Sequence, residues 1–158
     1  MKNISTIRRT VATMANQLHK FGYTLSKAFR TAWRRVKYGM TVKAQCVTFG
    51  NRQGLLQFIA GRKPEELTTY LRRDRANTFD RYAVAVVIGI KGVGYAHIGY
   101  LPKGLSQSLA GIMDKGIALQ ADTEVIGGYS YKETLGALIN ITVKKIALIS
   151  TANTDKGR

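Results

Sequence analysis

The apolar residues change period at Gly39, and that change divides the chain into two parts. Before it, Ile4, Ile7, Val11, Met14, Leu18 and Phe21 recur in steps of three and four, which places them on one face of a helix. The spacing predicts a helix over residues 3–21, ended by Gly22. Leu25, Ala28, Phe29, Ala32, Trp33 and Val36 repeat the pattern, with Thr24 or Ser26 available to cap the second helix through a side-chain oxygen. Two amphipathic helices joined by a short turn make an antiparallel hairpin. Phe29 and Trp33 are read as packing residues of that hairpin.

After Gly39 the pattern shortens to that of strands punctuated by Gly, Pro, Asn and Asp. Strands are expected at residues 41–48, 66–72, 83–90, 94–100, 118–125 and 135–148. One helix interrupts them, because Leu105, Leu109, Ile112 and Met113 keep helical spacing after Pro102 until Gly116. The expected class is therefore α+β. A basic helical hairpin over residues 1–39 precedes a small β-barrel of the oligonucleotide-binding kind over 40–148. Periodicity alone does not separate that barrel from a sandwich. Residues 149–158 are polar, without an apolar period, and read as a flexible tail.

Charge narrows the partners. The chain carries 25 Lys and Arg against 9 Asp and Glu, a net +16, which favours polyanions. Thirteen of the bases precede the first acid, Glu65, so the attraction is concentrated in the first 64 residues. Lys27, Arg30, Arg34, Arg35 and Lys37 fall on the polar side of the second helix with no acid beside them. Duplex, RNA or a membrane surface could each answer such a face; nucleic acid ranks above membrane because the apolar stripe is needed against a partner helix. The same stripe could pair with a second copy of the chain, giving a homodimer. An acid-free, Arg-rich start also resembles a transit peptide, but no long apolar core typical of a secretory signal is present, and cytoplasmic residence is expected.

Several classes drop out. No apolar run is long enough to span a membrane. Cys46 is the single cysteine and His19 and His97 the only histidines, which excludes a disulfide framework and a Cys/His zinc site. The carboxylates show no metal-binding spacing of the kind a nuclease needs, and no Gly-rich Lys-Ser/Thr phosphate loop is present. No cofactor and no catalytic residue are expected. Cys46 reads as inert strand core, and His97 as a packing or surface histidine.

The most informative stretch runs from Leu71-Arg72-Arg73-Asp74 through Asn77-Thr78-Phe79-Asp80 to Ala83-Val84-Ala85-Val86, a strand, a polar turn and a strand. Asn77 and Asp80 can organise the turn by bonding their own backbone. Arginines around an exposed ring are equally what a single nucleic-acid strand requires. Further on, Ile98-Gly99-Tyr100-Leu101-Pro102-Lys103 runs from a strand into a helix start, whose free amides and positive dipole end suit a phosphate.

Taken with Val47-Thr48-Phe49-Gly50-Asn51-Arg52-Gln53, these stretches resemble the HIRAN domain over roughly residues 41–145. The resemblance implies a modified oligonucleotide-binding barrel that captures the free 3′ end of single-stranded DNA. On that footing Phe79 would stack on the terminal base, in place of the family's usual Tyr. Asn77 would hydrogen bond nearby, and Asp80 would accept from the 3′ hydroxyl. Tyr100 falls where the eukaryotic domain has a His, and Lys103 matches a phosphate-contacting Lys. Arg52 and Arg73 would contact further phosphates. Arg75 and Ala76 replace the usual acidic residue and proline. Eukaryotic members carry a helicase motor, for which this chain has no room.

The hairpin's Leu25-Ser26-Lys27-Ala28-Phe29-Arg30-Thr31-Ala32-Trp33 resembles leader segments of bacterial and phage mobile-element proteins. The expected function is non-enzymatic capture of a single-stranded DNA 3′ end, with Arg30, Arg34 and Arg35 gripping adjacent backbone. RNA is a further possibility. The alternative is a phage- or plasmid-encoded inhibitor module that binds a host protein such as a defence nuclease, or the guide RNA of its ribonucleoprotein.

Overall fold

The computed structural model describes residues 2–129 and 132–143. Helix α1 spans Lys2–Lys20 and α2 spans Leu25–Tyr38, close to the spacing-based limits. Thr24 is the cap, its Oγ1 accepting from the Lys27 amide at 3.4 Å. Gly39 then turns the chain into the sheet at φ +75°, and a Cβ there would lie 2.7 Å from the Ile141 carbonyl oxygen. Only glycine meets both conditions.

The strands are β1 Met40–Lys43, β2 Leu67–Arg73, β3 Val84–Ile90, β4 Gly94–Tyr100, β5 Leu119–Tyr129 and β6 Lys132–Val143. They form one antiparallel sheet in the order β1-β6-β5-β2-β3-β4. The sheet curls until its two edges meet at a single bridge. The Gln45 amide donates to the Tyr100 carbonyl at 2.7 Å, and the Tyr100 amide donates back at 3.0 Å. The architecture is thus α+β, with the helices leading into a barrel-like sheet.

The bridge explains why β1 ends before residue 48. Ala44 still bonds Ala137 of β6, but Gln45 changes partner to β4, and Cys46 at φ +60° turns the chain away. Two helices interrupt the strands where one was expected. Besides α4, Lys103–Asp114, there is α3, Arg52–Ala60. Its nine residues are too few to establish a period, and Gly54 and Gly61 read as breakers. Leu56 and Ile59 nonetheless bury it. The expected end of the last strand, residues 144–148, and the tail, 149–158, lie outside the described residues.

One apolar cluster runs through hairpin and barrel, from Val11, Met14 and Leu18 to Ile88, Ile98, Leu109 and Ile139. The hairpin is seated on its own barrel: α1 packs on α4, where Lys115 donates to Thr13 Oγ1 at 3.3 Å. Within the hairpin, the assignment of Phe29 and Trp33 to the core is corrected. They are 42% and 50% exposed. The interhelical seam is made by Ala28, Ala32 and Val36, whose small side chains draw the two backbones together and leave the rings on the shoulder of the contact. Among the described residues no helix is long and apolar enough to cross a membrane.

Candidate functional site

The barrel's closing seam forms one wall of a cleft of about 880 Å³. Arg52, Asn77, Phe79, Asp80, Tyr100 and Lys103, chosen from separate stretches of sequence, all line it. Arg52 comes from the start of α3, Tyr100 from the end of β4 and Lys103 from the first turn of α4. The other three come from the turn between β2 and β3.

That turn is built by its own polar side chains. Asn77 Oδ1 accepts from the amides of Phe79 at 2.9 Å and Asp80 at 3.0 Å. Asp80 Oδ1 accepts from the Tyr82 amide at 2.9 Å. The hydrogen-bonded-turn reading of Asn77 therefore holds, and its consequence is to hold the Phe79 ring out in solvent, 95% exposed. Asn77→Ala removes these two bonds and a longer one from Nδ2 to Asp74 Oδ2 at 3.5 Å, and should lower unfolding stability by about 1–2 kcal/mol. Chemical denaturation measures it, and an unchanged midpoint would count against the turn-building role.

Arg73, expected as a phosphate contact, is bonded within the chain. Its Nε donates to Asp114 Oδ1 at 3.1 Å, its Nη1 to the Ala83 carbonyl at 3.0 Å and its Nη2 to the Arg81 carbonyl at 3.1 Å. Each of the three nitrogens makes a bond within the chain, and the side chain is only 12% exposed. Arg73 fastens the turn to α4. Arg75 reaches the same Asp114 oxygen at 2.8 Å.

Tyr100 lies between opposite charges. Its hydroxyl donates to Asp74 Oδ2 at 2.8 Å, and the Arg52 guanidinium carbon is 5.5 Å from its ring centroid, within cation–π range. Arg52 is itself aimed by an Nη1 bond to the Cys46 carbonyl at 2.7 Å. The bond from Tyr100 lowers the Asp74 pKa from its ordinary value, with the Asn77 amide assisting. Burial raises that of Tyr100, and Asp74 raises it further. Near neutrality the pair is a phenol donating to a carboxylate. His97 stands edge-on to the Tyr100 ring at 4.8 Å and bonds the Gly99 carbonyl at 3.0 Å. Desolvation, followed by Arg52, lowers its pKa, in keeping with a packing histidine.

Two residues of the cleft, Asp74 and Phe49, were given no role from sequence, and a third, Cys46, was placed elsewhere. Asp74 becomes significant only through a partner 26 positions away. Phe49, 67% exposed, had a visible signal: a large ring among the turn residues Gly50 and Asn51. Cys46 is exposed and lines the cleft, which corrects its reading as strand core. Among the described residues no three of His, Cys, Asp and Glu converge as a metal site would need.

The hairpin cations divide. Arg30 and Arg34 are exposed. Arg35 is half-buried and donates to Ser108 Oγ of α4 at 3.2 Å, and burial lowers its pKa. Arg35 thus ties the hairpin to the barrel through one of its guanidinium nitrogens. No family model, no curated protein and no solved structure matches the chain.

Proposed function

We propose that this is a cytoplasmic, non-enzymatic nucleic-acid-binding protein whose cleft takes the end of a single strand. The observation that carries the reading is the mixed chemistry of one cleft. Phe49, Phe79 and Tyr100 offer aromatic surface, Arg52 and Lys103 supply positive charge, and Asp80 has a carboxylate oxygen beyond the one bonded to Tyr82. A base stacks on rings, a phosphate seeks cations, and a sugar hydroxyl donates to a carboxylate. A terminal nucleotide presents all three at once. The HIRAN-like motif adds the polarity, a free 3′ hydroxyl on Asp80, in single-stranded DNA.

Fluorescence anisotropy with matched strands ending in a 3′ hydroxyl or a 3′ phosphate, and with a closed circle, tests this. The hydroxyl strand should bind tightest, and Asp80→Ala should erase the difference while leaving the circle unaffected. Equal affinity for all three in the unmodified protein would leave only a generic polyanion grip.

A further inference from the structure

Phe29 and Trp33, together with Val11 of α1, form the apolar floor of a groove of about 460 Å³ on the hairpin, walled by Arg30, Arg34 and Lys37. The groove belongs to the hairpin alone and shares no residue with the cleft. We propose that it is a second single-strand site, in which Phe29 and Trp33 stack on bases while the three cations hold the backbone. The proposal deepens the nucleic-acid reading and rests on it.

The order of side chains around α2 selects this occupant. With 3.6 residues per turn, Ala28, Ala32 and Val36 centre the buried face, Arg30, Arg34 and Lys37 lie on the opposite side, and Phe29 and Trp33 fall between. The outermost face is cationic and the rings sit lower, beside α1. A helix that lies in a membrane has the reverse order, with rings at the crest and cations at the flanks. Here a bilayer would meet the arginines first. A strand of nucleic acid fits the order as it stands: phosphates along the outer wall, bases turned inward to the rings. Charge agrees, since no acid occurs before Glu65. The cations recur every three to four residues, so the wall presents one positive charge per helical turn.

With two sites on one rigid frame, a strand that reaches both gains by effective concentration rather than by new contacts. Cleft and groove thus predict different ligands: the cleft discriminates ends, the groove does not.

Trp33 is the chain's only tryptophan, so its emission reports the groove directly. The probe is a closed circle of oligodeoxythymidine, which has no end for the cleft. On titration, Trp33 emission should fall saturably as the ring stacks on bases, and Phe79→Ala should leave that quenching in place. The double variant Arg30→Ala/Arg34→Ala should flatten the dependence of log affinity on log salt by about 1.4, at roughly 0.7 per phosphate contact on a single strand. Phe29→Ala should weaken the circle by about fivefold or more. Because all three positions are exposed, an unchanged thermal midpoint separates these losses from unfolding. Unquenched emission while anisotropy shows the circle bound, or no binding of the circle at all, overturns the proposal. So does a blue shift with phosphatidylglycerol vesicles and no response to the circle, which would mark the groove as a membrane contact. Loss of end preference with quenching intact would instead remove the cleft reading and keep the groove.

Discussion

Phe79→Ala should weaken binding to a single strand with a free 3′ hydroxyl by about 1–3 kcal/mol, roughly 5- to 150-fold, with the fold intact. The ring is 95% exposed, so its removal takes almost nothing from the core, and substitutions of this kind stay within about 0.5 kcal/mol of stability. The turn that holds the ring in water is built from its own polar groups, so the variant leaves that frame in place. Anisotropy titration, with a thermal melt alongside, separates the two effects. Affinity unchanged in a folded variant would remove Phe79 from the site and, with it, the main stacking surface of the cleft. Phe79→Tyr should retain the affinity, because the stacking face is kept.

Gly99→Ala should destabilise the protein strongly, because it strikes the closure of the barrel. A Cβ at Gly99 would sit 2.5 Å from the Gln45 carbonyl oxygen, a backbone atom that cannot rotate aside. The bridge between Gln45 and Tyr100 must therefore open. Overpacking costs about 1–3 kcal/mol, and the two bridge hydrogen bonds add about 1 kcal/mol each. A loss of about 3 kcal/mol in a chain of this size lowers the melting temperature by roughly 6–12 °C. Gly104→Ala is the matched control: nothing lies within 4 Å of a Cβ there, and helix propensity favours alanine. Calorimetry on the pair tests the closure directly, and equal melting temperatures would show that the bridge contributes nothing.

How far the sequence discloses this molecule depends on the range of the interaction. The hairpin was legible because its seam follows a short local period, and so were five of the six strands at nearly their full lengths. Helix α3 was not, since nine residues with one glycine inside and another at the end look like loop until Leu56 and Ile59 are seen buried. The turn residues Asn77, Phe79 and Asp80 stood out because their chemistry is local. Asp74 did not, because the hydroxyl it accepts comes from another strand. Charge is visible in a sequence, but whether a guanidinium is free is not. Arg73 and Arg35 carry the same formal charge as Arg30 and Arg34, yet the fold already engages the first two, one with Asp114 and the carbonyls of Ala83 and Arg81, the other with Ser108. Phe29 and Trp33 were misplaced for a related reason. Hydrophobicity marks a residue for burial but does not say whether Ala28 and Ala32 will reach the neighbouring helix first.

The barrel's seam has a thermodynamic consequence. Gln45 and Tyr100, which hold the two edges of the sheet together, are also residues of the cleft wall. If the cleft binds a strand end as proposed, opening of the seam and emptying of the cleft would be coupled equilibria, and such coupling is reciprocal. Whatever free energy an occupant adds to keeping the edges joined, a preformed seam returns as affinity. On the proposed reading, a strand end seated in the cleft would help to keep the barrel shut, and the melting temperature would rise with its concentration.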